Sequence, residues 1–450
     1  DEQQSFSMEY DEISGIKALP ILLIPRDDKA TKIYKQYFKQ RKLVLFPYKI
    51  DNNNPLDSQG AFVYRFTFAL LAYICLRLLL EEQKRLFIPI LRLHLSNKED
   101  EAPIEKFLLS LCMVLSHLLN HKHRSNTQGI DIRDLSYYKI PNVMTSLYSV
   151  LPKTFRFNNS LYYPQLEKLA IIVVSSRESD GKWRSQHKRS NLMGEVVGVI
   201  RRNDGAVRLQ LLTTFSGNYD HQRLFQEPTV VIDQVTNLYD HGYKHFIYVA
   251  KAPYTSTLHM TQSQDDDGLF FMSKDVIRAL KGEYRDIKIY PIFFDKYYVV
   301  KLQKIGASSL YIQDTAELTT LVEDESKQSV VFFNLFNGIE VPGEQRNYNG
   351  VISYATLLNI YDGILDDEDI RNGLMYDTPL KQDIVQYLSL FHFWRYQKAR
   401  EISFKLDPYE NLIGDYSVGA LSLFNHIRGK GKFNCLAFLT EVRNILNSGR

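Results

Sequence analysis

Between residues 169 and 358 the chain sets out strand-like runs in an order that few folds can accommodate. Leu169-Ala170-Ile171-Ile172-Val173-Val174 is a continuous apolar run, the pattern of a strand buried on both faces. Two further runs follow, at 194–200 and 206–212. They are separated by Arg201-Arg202-Asn203-Asp204-Gly205, in which Asp-Gly marks a hairpin. A segment with helical spacing, residues 228 to 241, leads to a second buried run, Phe246-Ile247-Tyr248-Val249-Ala250. Three consecutive strands, a helix and a returning strand predict one mixed sheet, with the 169–174 strand central and helices on its faces.

A first α/β unit precedes this segment. Leu19-Pro20-Ile21-Leu22-Leu23-Ile24 and Lys42-Leu43-Val44-Leu45-Phe46 read as buried strands, with helical spacing over residues 29 to 40 between them. After the polar turn Asp51-Asn52-Asn53-Asn54-Pro55 come an apolar helix over 62–80, a strand over 86–93 and a helix over 103–119. Strands alternating with helices predict a parallel, Rossmann-like layer. No Gly-rich dinucleotide fingerprint follows the first strand, which argues against a nucleotide-cofactor dehydrogenase. Residues 121 to 159, polar and opening on His121-Lys122-His123-Arg124, are expected to form a connecting helical or loop insertion. The apolar helix contains Arg65 and Arg77. Each would cost roughly 2.5 to 3.5 kcal/mol at the centre of a lipid-facing helix, so a core helix is expected and no membrane partner.

The order of elements over 169–250 is that of an RNase H-like sheet. Ser329-Val330-Val331-Phe332-Phe333-Asn334-Leu335-Phe336-Asn337-Gly338, followed by Tyr348-Asn349-Gly350-Val351-Ile352, resembles the strand, small turn, tyrosine and second strand of Piwi domains. Glu401-Ile402-Ser403-Phe404-Lys405-Leu406-Asp407-Pro408-Tyr409 is similar to that family's late strand and Pro-aromatic entry into the terminal helix. Over residues 160 to 445 the chain thus resembles Argonaute and Piwi-like proteins of the prokaryotic type. The resemblance implies an α/β fold class: a Rossmann-like MID-type domain with a helical insertion at residues 1–160, then an RNase H-like Piwi domain with a mixed sheet at 161–450. It implies that the first domain anchors a guide 5′ end and that the protein works in a prokaryotic defence or regulatory complex, with an effector protein as a further partner.

A length of 450 residues fits two domains or three small ones, and a hydrophobic share of 44% suffices for sizeable cores. The net charge is only +3, so any nucleic-acid surface must be a local patch. Cys75, Cys112 and Cys435 are far apart and odd in number. That fits a reducing compartment, so the expected location is cytoplasmic, and it offers no metal-ligand spacing.

RNase H-type nucleases hold two metal ions between carboxylates at the ends of adjacent strands. Where the first acid is needed, this chain has Val173, Val174, Ser175 and Ser176. The returning strand runs into Lys251-Ala252-Pro253-Tyr254, where active Piwi domains have an Arg-Asp-Gly type turn, so a lysine takes the place of an acid. The expectation is no catalytic residue, no metal and no cofactor. Glu178, Asp180, Glu195 and Asp233 lie nearby in the sequence and leave a rearranged acidic site open. Asp265-Asp266-Asp267-Gly268 lacks the alternating ligands and terminal Glu of a calcium loop and reads as a solvated turn. No Walker loop or Gly-x-Ser-x-Gly elbow occurs.

Cations and aromatics occupy the same loops instead. Arg177, Lys182, Trp183, Arg184, His187, Lys188 and Arg189 fall between the first two strands of the sheet. With Lys251 and Tyr254 they are candidate nucleic-acid contacts: the cations neutralise phosphates, and Trp183 or Tyr254 stacks on a base. The ordinary alternative is a solvated loop. In the turn 343–349, Arg346 and Asn349 are candidate backbone contacts, against a plain hairpin loop. Arg177 and Glu195 also invite comparison with a branch of prokaryotic Piwi proteins named for an arginine and a glutamate, though a cross-strand salt bridge explains them equally well. The expected function is a catalytically inactive Piwi-like protein that binds a guide strand or guide–target duplex, RNA or DNA. The alternatives are an active nuclease with a rearranged site and a protein-interaction scaffold that binds no nucleic acid.

Overall fold

The computed structural model describes residues 6–10, 17–25, 44–48, 58–81, 87–93, 110–120, 127–131, 151–157, 163–178, 189–220, 223–224, 228–251, 274–300, 310–314, 329–337, 348–357, 363–395, 405–413, 417–425 and 432–448. The chain opens on β1 (Phe6–Tyr10), where Phe6, Met8 and Tyr10 alternate with Ser7 and Glu9, the period of a half-buried strand. β2 (Lys17–Pro25), β3 (Val44–Tyr48), α1 (Ser58–Glu81), β4 (Phe87–Leu93), α2 (Ser110–Asn120) and β5 (Gln128–Asp131) follow. β2 to β5 form an all-parallel sheet in the order β3-β2-β4-β5. Parallel neighbours need a crossover long enough to hold a helix, which α1 supplies between β3 and β4.

The larger sheet has ten strands. β6 (Lys153–Phe157) pairs antiparallel with β1, Phe157 against Phe6. β7 (Lys168–Glu178), β8 (Arg189–Arg201) and β9 (Val207–Asp220) then form an antiparallel meander. The β8–β9 turn depends on Gly205, whose φ of 78° is the left-handed conformation that a hairpin of this kind needs and that glycine adopts without strain. α3 (Thr229–Asp240) crosses over, with Val231, Val235 and Leu238 buried at helical spacing. β10 (His245–Lys251) returns parallel to β7, His245 beside Leu169. α4 (Lys274–Glu283) leads to β11 (Lys288–Val300), again parallel, and β12 (Leu310–Asp314), β13 (Ser329–Asn337) and β14 (Tyr348–Leu357) complete the sheet with antiparallel pairs. The order is β1-β6-β9-β8-β7-β10-β11-β14-β13-β12, so the apolar β7 is central and the expected mixed sheet is present.

Three local readings need correction. The stretch 121–159 is not simply a helical or loop insertion, because it contributes β5 to the parallel sheet and β6 to the large one. β1 and β6 belong to the large sheet although both precede residue 160. Of the 401–409 motif, residues 401–404 lie outside the described residues, 405–409 lead into a turn, and the terminal helix begins only at Cys435.

α5 (Pro379–Trp394) covers one face of the large sheet. Its start is set by Thr378, whose hydroxyl accepts the Lys381 N–H, and by a proline in the first turn, where its missing N–H costs nothing. Asp383, 2% exposed, accepts hydrogen bonds from Gln165 N at 2.8 Å and Leu166 N at 2.7 Å, and Tyr387 donates to the Leu166 carbonyl at 2.6 Å. These bonds pin the chain as it enters β7. Asp383→Ala would leave both amides without acceptors, an expected loss of about 1 to 3 kcal/mol by urea denaturation with an unchanged denaturant slope.

After the short hairpin β15 (Leu423–Asn425) and β16 (Lys432–Asn434), α6 (Cys435–Ser448) packs on the same face. Ser216 of β9 meets Thr440 at 2.8 Å, and Asn218 donates to Glu441 at 2.6 Å. Tyr219, the next residue on β9, points to the opposite face, where its hydroxyl accepts the Val230 N–H at the start of α3. The helices of the parallel sheet join this assembly. Phe62 and Phe66 of α1 lie 4.7 to 5.7 Å, ring to ring, from Phe424, Phe433 and Phe438. Arg77 donates to Asn447 Oδ1 at 2.8 Å and to the Arg443 carbonyl at 3.4 Å. Arg77 of the apolar α1 therefore ends on α6.

Candidate nucleic-acid interface

Strand register decides which side chains meet at the ends of β7, β10 and β11. Val173 of β7 lies opposite Glu195 of β8 and beside Val249 of β10. The β7–β10 pairing ends at Val173 and Val249; two residues on, Ser175 is opposite Met193, and Lys251, the last residue of β10, pairs with Phe294 of β11. Because side chains alternate along a strand, Val173, Ser175 and Arg177 share a face with Glu195 and with Phe294 and Lys296. This is the α5 face: the Phe294 ring lies 4.3 Å from Tyr409, which stacks on Phe391 of α5. The serine and the lysine expected where acids are needed thus sit on adjacent strand ends.

Glu195 is occupied. It is 5% exposed and forms a salt bridge with Arg395, at the C-terminal end of α5. The Arg395 guanidinium lies over Trp394 at 4.4 Å and Phe391 at 5.5 Å, and burial lowers its pKa to about 9. Lys153 of β6, 1% exposed, donates to the Trp394 carbonyl in the same buried cluster. Burial, followed by repulsion from Arg395, pulls the Lys153 ammonium down to about 7. Arg177 is opposite Asn191, so the cross-strand pair of Arg177 with Glu195 does not form; the register puts them four positions apart along the ladder.

A second buried cluster fixes the turn at 405–413. Tyr354 Oη is 2.6 Å from His392 Nε2 and 2.7 Å from Tyr409 Oη, and His392 Nδ1 is 2.8 Å from the Lys405 carbonyl. Burial pushes His392 down to about 3, so the imidazole stays neutral and its Nδ1 proton goes to the Lys405 carbonyl. The turn brings Asp407 to within 3.6 Å of Lys296 Nζ. Burial raises the Asp407 pKa, and the Lys296 charge opposes that rise.

The remaining candidates are placed as follows. Arg177 is half-buried near the end of β7, where the backbone at Gly419 comes so close that an added Cβ would meet Arg177 Cγ at 2.9 Å. Arg189 is exposed opposite Asp220, 3.9 Å away, a pair that contributes little to stability. It lines a groove of about 440 Å³ with Asn218, Thr229, Asp233, Glu441 and Arg443. Asp233 is exposed on α3 and lines the same groove as Arg189, and Glu178 ends β7. Lys251 and Asn349 are described by strand position alone, Asn349 opposite Val299. Lys182, Trp183, Arg184, His187, Lys188, Tyr254, Arg346, Asp180 and the 265–268 turn lie outside the described residues. Among the described residues, no group of three or more His, Cys, Asp or Glu side chains could hold a metal ion.

The sequence reading missed Lys153, Lys296, Arg395 and Asp407. Each takes its role from a partner far away in the chain, so no local spacing marks it.

No protein-family model and no curated protein matches the sequence. Among solved structures the chain is similar to A. aeolicus Argonaute, with 10% identity and a TM-score of 0.34 over 74% of this chain and 41% of that one. It is similar to A. aeolicus Argonaute with externally bound siRNA, with 11% identity and a TM-score of 0.41 over 88% of this chain and 47% of that one. It is also similar to the C-terminal lobe of a budding yeast Argonaute, with 10% identity and a TM-score of 0.40 over 96% of this chain and 80% of that one. The chain spans less than half the length of the two A. aeolicus chains.

Proposed function

We propose that the protein is a Piwi-like nucleic-acid binder that holds a guide strand or guide–target duplex at the strand ends of its large sheet and does not cut it. One observation carries this reading: in a sheet with RNase H-like strand order, the adjacent ends of β7 and β10 bear Ser175 and Lys251. Two-metal hydrolysis needs carboxylates there, whereas a serine and a lysine suit phosphate binding. Glu195, an acid on the same face, is committed to Arg395, which counts against a rearranged nuclease site. In this reading Arg177, Lys182, Arg184, Lys188, Arg189, Arg346 and Asn349 contact the sugar-phosphate backbone, and Trp183 and Tyr254 stack on bases. The parallel β2–β5 unit serves as the MID-type anchor of the guide end. The setting is a prokaryotic defence or regulatory complex in the cytoplasm, with an effector protein as partner.

Gel-shift titrations against short single strands and duplexes at two salt concentrations test this. Binding is expected, weakening as salt rises. Changing Lys182, Arg184, Lys188 and Arg189 together to Ala should weaken it for all sequences alike. The slope of log affinity against log salt should flatten by about 0.7 to 0.9 for each phosphate no longer neutralised. Trp183→Ala should cost roughly 1 to 3 kcal/mol if a base rests on that ring. An absence of binding by the wild-type protein would favour the scaffold alternative.

A further inference from the structure

We infer that Lys296 and Arg177, two strands apart on one face with the strand position of Lys251 between them, carry a nucleic-acid backbone across β7, β10 and β11 near their C-terminal ends, at right angles to the strands. This rests on the nucleic-acid-binding reading and adds to it a path and a residue that the sequence did not single out. The three positions lie one on each of three neighbouring strands, near the same end, on positions of one parity. At about 4.8 Å between strands, the outer two are about 10 Å apart at the backbone.

The outer two cations are each met by a described segment, 405–413 at Lys296 and 417–425 at Arg177. Gly419 packs against Arg177, Asp407 pairs with Lys296, and the Val418 N–H donates to the Asn411 carbonyl at 2.8 Å between them. Tyr409, clamped between Phe294 and Phe391, fixes this segment to the sheet and to α5. Arg177 and Lys296 are therefore packed in place before any ligand arrives, which lowers the ordering cost of binding. The Lys296 side chain is 32% exposed, and Asp407, at 16%, is the carboxylate whose place beside the ammonium a phosphate would take. Lysine and arginine in a row, with no base-reading amide between them on these strands, recognise phosphate and not sequence.

The test uses the full chain and fluorescently labelled short RNA and DNA, each as single strand and duplex, with affinity followed over a range of KCl concentrations. Lys296→Met should weaken binding to every sequence alike and flatten the salt slope by about 0.7 for a single strand or 0.9 for a duplex. Lys296→Arg should restore the slope. Asp407→Asn, which removes the competing carboxylate, should tighten binding, an outcome that damage to the fold cannot produce. Wild-type binding with an unchanged slope in Lys296→Met, or weaker binding in Asp407→Asn, would overturn the path while leaving the nucleic-acid reading standing. Failure of the wild-type protein to bind any of the probes would overturn both.

Discussion

Arg395→Met is expected to destabilise the protein by about 3 to 5 kcal/mol, because it removes the partner of a buried carboxylate and leaves the charge of Glu195 uncompensated. Urea denaturation followed by circular dichroism measures this. The double variant Glu195→Leu with Arg395→Met should recover most of the loss, since well-packed apolar residues of similar volume often replace a buried ion pair without penalty. A single-variant loss below about 1 kcal/mol would mean that Glu195 reaches water, as surface pairs do. It would then be open to other partners, and the case against a rearranged acidic site would weaken.

Stability should also climb steeply with pH, and Lys153 is the cause. Its ammonium is held at about 7 in the fold, against 10.5 for an ordinary lysine. In the unfolded chain the side chain binds its proton more tightly, so the fold carries the full penalty below pH 7 and is relieved of it as pH rises from about 7 to 10.5. The full difference is roughly 5 kcal/mol, since each unit of pKa shift is worth about 1.4 kcal/mol. Lys153→Met should be more stable than the wild type at neutral pH, despite losing the bond to the Trp394 carbonyl, and its stability should be nearly flat between pH 7 and 9, below the range in which Arg395, held at about 9, also titrates. Retention of the rise between pH 7 and 9 in Lys153→Met would assign it to another group.

The parts of this fold that the sequence displays are those governed by local pattern. The unbroken apolar run 169–174 marks the central strand because both of its faces are covered, and Asp204-Gly205 marks the hairpin because the turn needs a left-handed residue. β5, with Gln128, Gly129 and Asp131 among its four residues, has the composition of a turn. Only its pairing with β4 makes it a strand. β6 begins at a lysine that any sequence reading places on the surface, and β1 finds its partner far along the chain.

The site divides in the same way. Ser175 and Lys251 are legible because each follows an unbroken apolar run of its own strand. The partner of Glu195 was not legible: Arg177 looked suitable, but the ladder sets it opposite Asn191, and the guanidinium arrives instead from the end of α5. Lys296 and Asp407 come together only because Tyr409 docks the 405–413 turn on Phe294.

The decisive measurement takes a labelled guide–target duplex equilibrated with the folded protein and Mn²⁺. One portion is run on a native gel for the bound fraction and another on a denaturing gel for strand length. Ser175 and Lys251 at the strand ends predict a duplex that is bound, released as salt is raised, and intact. A duplex cut only when metal is present, or one that stays unbound even at low salt, would contradict that reading.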